Sequence, residues 1–211
     1  MSTSQQPQTE PIDFTLMYVT HDAFRRDLAR LVAAADSGTS AAPRVQAGWQ
    51  NFKRQLDVHH SVEDAALWPR LAEAVAHRPL DADLVDEMEA EHASLDSVLA
   101  AVDKAMAEDP ARLPDASRVL AGVLGAHMAH EENSALPLIQ EVLTPKDWGA
   151  FRSAMARRQG PSGAAAYVPW VIDGNTPDQR RRFFDVMPAP LAVVNKLLWE
   201  PRYRRRRMWS V

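Results

Sequence analysis

HHSVEDAALWP, residues 59–69, and HMAHEENSALP, residues 127–137, are two copies of one pattern. In each, a histidine is followed by a glutamate four residues on and by a proline six residues after that: His59, Glu63 and Pro69, then His127, Glu131 and Pro137. The copies stand 68 residues apart. Residues i and i+4 share one face of an α-helix, so each pair can aim an imidazole nitrogen and a carboxylate at one point. A proline within the same helix removes a hydrogen bond and crowds the carbonyl four residues back, which predicts a bend at Trp68-Pro69 and at Leu136-Pro137.

Apolar residues carry the helical spacing outward from both copies. Phe14, Met17, Tyr18, His21, Phe24, Leu28, Leu31 and Val32 recur at three and four, which predicts a first helix from near Ile12 to DSGTSAAP. A second runs from near Pro43 through Trp49, Phe52, Leu56, His59, Glu63 and Leu71 to HRP. Pro79 opens a third, through Met88, His92, Leu95 and Leu99 to EDP; Pro114 opens a fourth, through Leu120, Leu124, His127, Glu131 and Leu138 to Leu143. Thr144 then caps a short helix, GPSGAAAYVPWVIDGN reads as a loop with apolar anchors, and Thr176-Pro177 starts another short helix. The expected fold is all-α: an up-and-down four-helix bundle over 12–143 with a C-terminal helical extension, 144–211, whose apolar residues are too few for a core of their own. Residues 1–11, polar with two prolines, are expected to be disordered.

Composition narrows the chemistry. Of 211 residues 46% are hydrophobic and only eight are glycine, which favours helix. Cysteine is absent, so disulfides, thiolate metal sites and cysteine nucleophiles are excluded; a metal would need His, Asp, Glu or Tyr. No run approaches the ~18 to 20 apolar residues that cross a bilayer, and MSTSQQPQTEPIDF lacks a basic segment followed by an apolar one, so a soluble cytoplasmic protein is expected. The net charge of −4 is unevenly spread: from Pro177 onward nine Lys/Arg stand against three Asp/Glu, a local +6, which leaves about −10 on the rest.

Each predicted long helix carries at least one of the seven histidines near its middle: His21, His59 with His60, His92, and His127 with His130. His77 falls at a helix end and is assigned to the surface. Glutamate is 11 of 211 residues, so one His-x-x-x-Glu pair arises by chance roughly once in twenty. The order is more telling. His21 precedes His59 by 38 residues and His92 precedes His127 by 35, so a lone histidine followed by a His-x-x-x-Glu pair appears in two comparable halves. Two such pairs, with a histidine from each remaining helix, would enclose a dinuclear centre in the bundle core, since imidazole suits iron, zinc or copper and a carboxylate can bridge two cations. The alternative, six polar core residues tied only to one another, would need a large satisfied network.

His21, HHSVE, EAEH and HMAHE, over about residues 12 to 143, resemble the hemerythrin-like (HHE cation-binding) family. The resemblance implies metal ligands at His21, His59, Glu63, His92, His127 and Glu131. It implies two non-haem iron ions, oxo- or hydroxo-bridged and bridged by the glutamates, that bind or react with a small oxidant: dioxygen, hydrogen peroxide or nitric oxide. A peroxide-consuming, catalase-like activity falls within that range, as does a carrier or sensor. A structural or zinc-binding bundle is the alternative.

Oxygen-carrying hemerythrins place two histidines four apart on the third helix, whereas here Met88 and Asp96 flank His92 at four and Glu89 lies three before it. A five-histidine set would need another donor. His60, three before Glu63, is the first candidate, as a ligand or as a group orienting a ligating carboxylate. Glu89 is a further candidate ligand or orienting group, His130 fits an orienting or surface role, Tyr18 a core position with its hydroxyl near the site and a tyrosinate ligand as the less favoured option, and Tyr167 plain packing. The tail RYRRRRMW reads as a solvated, partly disordered terminus. Contact of Arg204–Arg207 with an anionic membrane surface and packing on the acidic body are less favoured, and no nucleic acid is expected. The oligomeric state is left open.

Overall fold

In the structure, a computed structural model that describes residues 11–210, the apolar stripes of four helical rods face one another. The first rod is α1 (Thr15–Asp36). The second is α2 (Pro43–Val62), a π-helical turn over Glu63–Leu67, and α3 (Trp68–Val75). The third is α4 (Pro79–Glu108). The fourth is α5 (Leu113–His130), a second π-turn over Glu131–Ala135, and α6 (Leu136–Val142). α1 packs on α2 and α5, and α4 packs on α3 and α5, so each rod lies beside its neighbours in sequence and the short connections make them antiparallel. The expected all-α bundle forms.

The two prolines act differently from the bend expected of them. In an α-helix Pro69 would crowd the carbonyl of Ala65, and Pro137 that of Asn133. The helix widens by one residue instead: Trp68 N–H donates to the Glu63 carbonyl and Leu136 N–H to that of Glu131, five residues back. Each proline then sits in the first turn of α3 or α6, where it lacks no needed N–H. Glu63 and Glu131 are the first residues of the widened turns.

The extension is more ordered than the sequence indicates. Thr144 and Asp147 form a reciprocal capping box at the start of α7 (Pro145–Val171). The segment read as a loop continues that helix after a bend at Gly160, whose φ of 61° only glycine adopts without strain; Pro161 restarts it. α8 (Pro177–Asp185) starts at the Thr176/Gln179 capping box. α9 (Pro190–Val194) passes through a third π-turn, Asn195–Trp199, into α10 (Glu200–Arg206), again two residues before a proline, Pro201. The expectation of disorder for 1–10 lies outside the described residues. That for the basic tail is corrected: Trp199, Tyr203 and Trp209 pack on the core, while Arg204–Arg207 stay exposed. No helix among the described residues is long and apolar enough to cross a membrane.

Two apolar clusters flank a polar layer. On every rod the inward stripe passes from one cluster, through the layer, to the other: Met17, His21, Phe24 on α1; Leu56, His59, Val62 on α2; Met88, His92, Leu95 on α4; Leu124, His127, Glu131, Ala135 on the fourth.

The tail is seated by close approach at Gly48. A Cβ there would come within 2.5 Å of the Trp209 ring, and Trp209, in the left-handed conformation at φ 65°, donates its N–H to the Arg44 carbonyl. Gly48→Ala is therefore expected to lower stability in thermal unfolding by about 1–3 kcal/mol through overpacking. In a Trp209→Ala background the same substitution should cost almost nothing, and an undiminished cost there would contradict the contact.

Candidate metal centre

The six residues of the repeated pattern meet in the polar layer, and all six are buried. His21 and His59 turn their Nε2 atoms to each other at 3.2 Å, and His92 and His127 do the same at 3.1 Å. His60 stacks on His92 with ring centroids 4.0 Å apart and stands edge-on to His127. Three groups of converging donor atoms result: His21, His59 and Glu131; His60, His92 and His127; and, joining these two, His59, His60 and Glu63. Glu63 lies between the first two, with Oε1 3.2 Å from His59 Nε2 and Oε2 3.8 Å from His92 Nε2. One carboxylate thus reaches a histidine of each group.

The outer nitrogens are held by acids. His21 Nδ1–H donates to Glu132 at 2.8 Å and His92 Nδ1–H to Asp64 at 2.7 Å. His127 and His130 each donate Nδ1–H to Glu91, at 2.8 Å. These bonds fix the tautomer, so a neutral imidazole presents its Nε2 lone pair inward. In His92 and His127 two such lone pairs face each other at 3.1 Å, an arrangement that is repulsive unless a cation lies against both.

Charge is handled the same way. Both oxygens of Glu63 and both of Glu131 are buried; Glu131 has His21 Nε2 at 3.1 Å, whereas Glu63 has His59 Nε2 at 3.2 Å and no cationic side chain among the described residues, and an ionised carboxylate so placed costs several kcal/mol unless a positive charge compensates. Burial, with Glu131 and Asp64 adding to it, pushes the Glu63 carboxyl well above the usual range. Burial and the neighbouring imidazoles push His59 and His60 well down. Burial also lowers His127, against the pull of Glu91. For His21 burial acts downward too, but Glu131, 3.1 Å from its Nε2, and Glu132 outweigh it and raise the pKa to about 9. Buried imidazoles and carboxylates with no thiolate make a donor set that fits iron, zinc, copper or manganese.

Two of the secondary candidates lie elsewhere. Tyr18 is 43% exposed, and Glu89 is exposed on α4. Both precede a buried histidine by three residues, whereas the inward stripe runs through the residue four before, Met17 and Met88. His130 lies at the edge of the layer with Glu91, and His77 is exposed as expected. Asp64, Glu91 and Glu132 are orienting residues that sequence reading missed. Their signal is visible in retrospect: an acid directly follows each glutamate of the repeat, and Asp64 and Glu132 serve the lone histidines of α4 and α1. Tyr167 does more than pack, since its hydroxyl bonds to Thr20 Oγ1 at 2.7 Å and burial pushes its pKa up to about 12.

The family model described as hemerythrin HHE cation-binding domain matches residues 13–139. No curated protein and no solved structure matches the chain.

In the metal-free protein the pairing of His21 with Glu131 and Glu132 adds stability that is fully present below about pH 6.5 and is lost as pH rises through about 9. A cation reverses that preference, because ligands bind deprotonated. Zinc(II) or iron(II) binding near pH 7 should release about one proton per chain, from His21. Calorimetry in buffers of different ionisation enthalpy reads this directly; a heat independent of buffer would contradict it.

Proposed function

This chain belongs to the hemerythrin HHE cation-binding family, and on that premise we propose that it is a cytoplasmic non-haem di-iron protein whose centre binds or reacts with a small oxidant: dioxygen, hydrogen peroxide or nitric oxide. One observation carries the reading: two sets of inward-turned imidazoles face each other across Glu63, whose two oxygens reach a histidine of each set. A single cation would leave one set uncompensated. Two cations use every donor that the layer buries.

In this reading His21, His59 and Glu131 would hold one iron and His60, His92 and His127 the other, with Glu63 within reach of a histidine of each set. Iron, when bound, supplies redox chemistry with a position open to a small oxidant. The protein's own residues supply the rest. Asp64, Glu91 and Glu132 hold the Nδ1 protons and keep the rings aimed inward; loss of such a partner costs about 10–100-fold in metal affinity or activity in comparable sites. His59 has no such partner: its Nδ1 is buried without an acceptor, and its ring packs against Phe24 and His60. The apolar clusters on both sides of the layer keep bulk water from the centre.

Enzyme and carrier readings differ in turnover. Iron-loaded protein mixed with hydrogen peroxide is expected to evolve oxygen over many turnovers, and His92→Ala to lose at least about tenfold of that rate. A spectral change that reverses on removing dioxygen, with no peroxide turnover, would move the assignment to a carrier or sensor. Iron-loaded protein inert to all three oxidants would overturn it.

A further inference from the structure

The family match ends at residue 139, and the extension beyond it builds a cavity of about 540 Å³ against the bundle. Its floor comes from α1 and α2, with Leu16, Met17, Thr20 and Val58; its cover comes from α7 and the segment leading into α9, with Phe151, Arg152, Tyr167, Val168, Met187 and Leu191. The bend at Gly160 lets both halves of α7 contribute to one cover. His59 lines the cavity as well as the metal centre, so an occupant would lie against a side chain of that centre. The volume suits a small organic molecule, far larger than dioxygen or peroxide.

The lining selects by charge. It contains no aspartate or glutamate, and Arg152 is its one formally charged side chain. Among the described residues Arg152 meets no carboxylate; one of its N–H groups donates to the Val186 carbonyl at 2.6 Å and the others have no protein acceptor. Close by stands the Tyr167 hydroxyl, bonded to Thr20. A guanidinium with free donors in a largely apolar wall, whose other polar side chains (Thr20, Gln55, His59, Ser153, Gln159, Tyr167) carry no acid, matches a single carboxylate on an apolar body, through charge-assisted, bidentate hydrogen bonds. Three of the wall residues, Met17, Met155 and Met187, have unbranched, adaptable side chains that suit a flexible hydrocarbon chain better than a rigid ring system.

We propose that this cavity binds a monocarboxylate with a medium-length acyl chain, its carboxylate on Arg152 and its chain along the methionine-rich walls. The site is independent of which metal, if any, the bundle holds, so failure of the di-iron reading would leave it standing.

The test is calorimetric titration of the full chain, as purified, with decanoate, 1-decanol and acetate. Decanoate should bind at least about tenfold more tightly than decanol, and acetate not measurably. Arg152→Gln should remove that preference while leaving decanol binding unchanged, and Arg152→Lys should keep part of it. Ala164→Phe, which fills the cavity from its wall, should weaken both long-chain ligands at least about tenfold. The absence of decanoate binding, decanoate binding that ignores Ala164→Phe, or a preference that survives Arg152→Gln would each overturn the proposal.

Discussion

Two glutamates buried inside a layer of histidines are the constraint on which the rest of this structure depends. Glu63 and Glu131 have zero accessible surface; Glu131 has His21 Nε2 at 3.1 Å, and Glu63 meets no cationic side chain among the described residues. Carboxylates are not normally left this way in an apolar bundle, where the cost is several kcal/mol per ion. Around them burial and neighbouring imidazoles drive His59 and His60 towards the neutral form, while Glu131 and Glu132 hold His21 protonated near neutral pH. An interior built in this way stores electrostatic need for cations. The acids one step further out, Asp64, Glu91 and Glu132, spend their hydrogen-bonding capacity on Nδ1 and leave every Nε2 for the interior.

The same repeat that makes the ligand set also shapes the helices that carry it. Each His-x-x-x-Glu pair ends at the entrance of a π-turn, and each π-turn lets a proline two residues beyond its end sit in a fresh first turn. The pairs are not used symmetrically, however. Glu63 lies between the histidine groups, whereas Glu131 reaches across to His21 on α1. His127 has an orienting acid in Glu91, but His59 has none and borders the cavity beneath α7 instead.

Much of this was readable from spacing, because helix periodicity converts sequence intervals into faces. Met17, His21 and Phe24 on α1, or Met88, His92 and Leu95 on α4, show their burial in the sequence itself. What spacing resolves poorly is the difference between three and four residues: Tyr18 and Glu89, each three before a buried histidine, both point outward. Prolines announce a disturbance without saying whether the helix bends or widens. The extension was hidden for another reason. Gly160-Pro161 and the small residues that follow carry no amphipathic pattern, and the second half of α7 is held by contact with the bundle through Val168, Trp170 and Val171. His60, ambiguous in the sequence, acquires its place only from stacking on His92 of a different helix.

The most direct test of a dinuclear centre is the metal content of the protein purified without added metal, read together with its visible and near-ultraviolet absorption. The account predicts about two iron atoms per chain and a ferric absorption that disappears on reduction. Stoichiometric zinc, or a colourless protein that takes up no iron under anaerobic reconstitution yet unfolds no less stably, would contradict it and leave the histidine layer as a structural network.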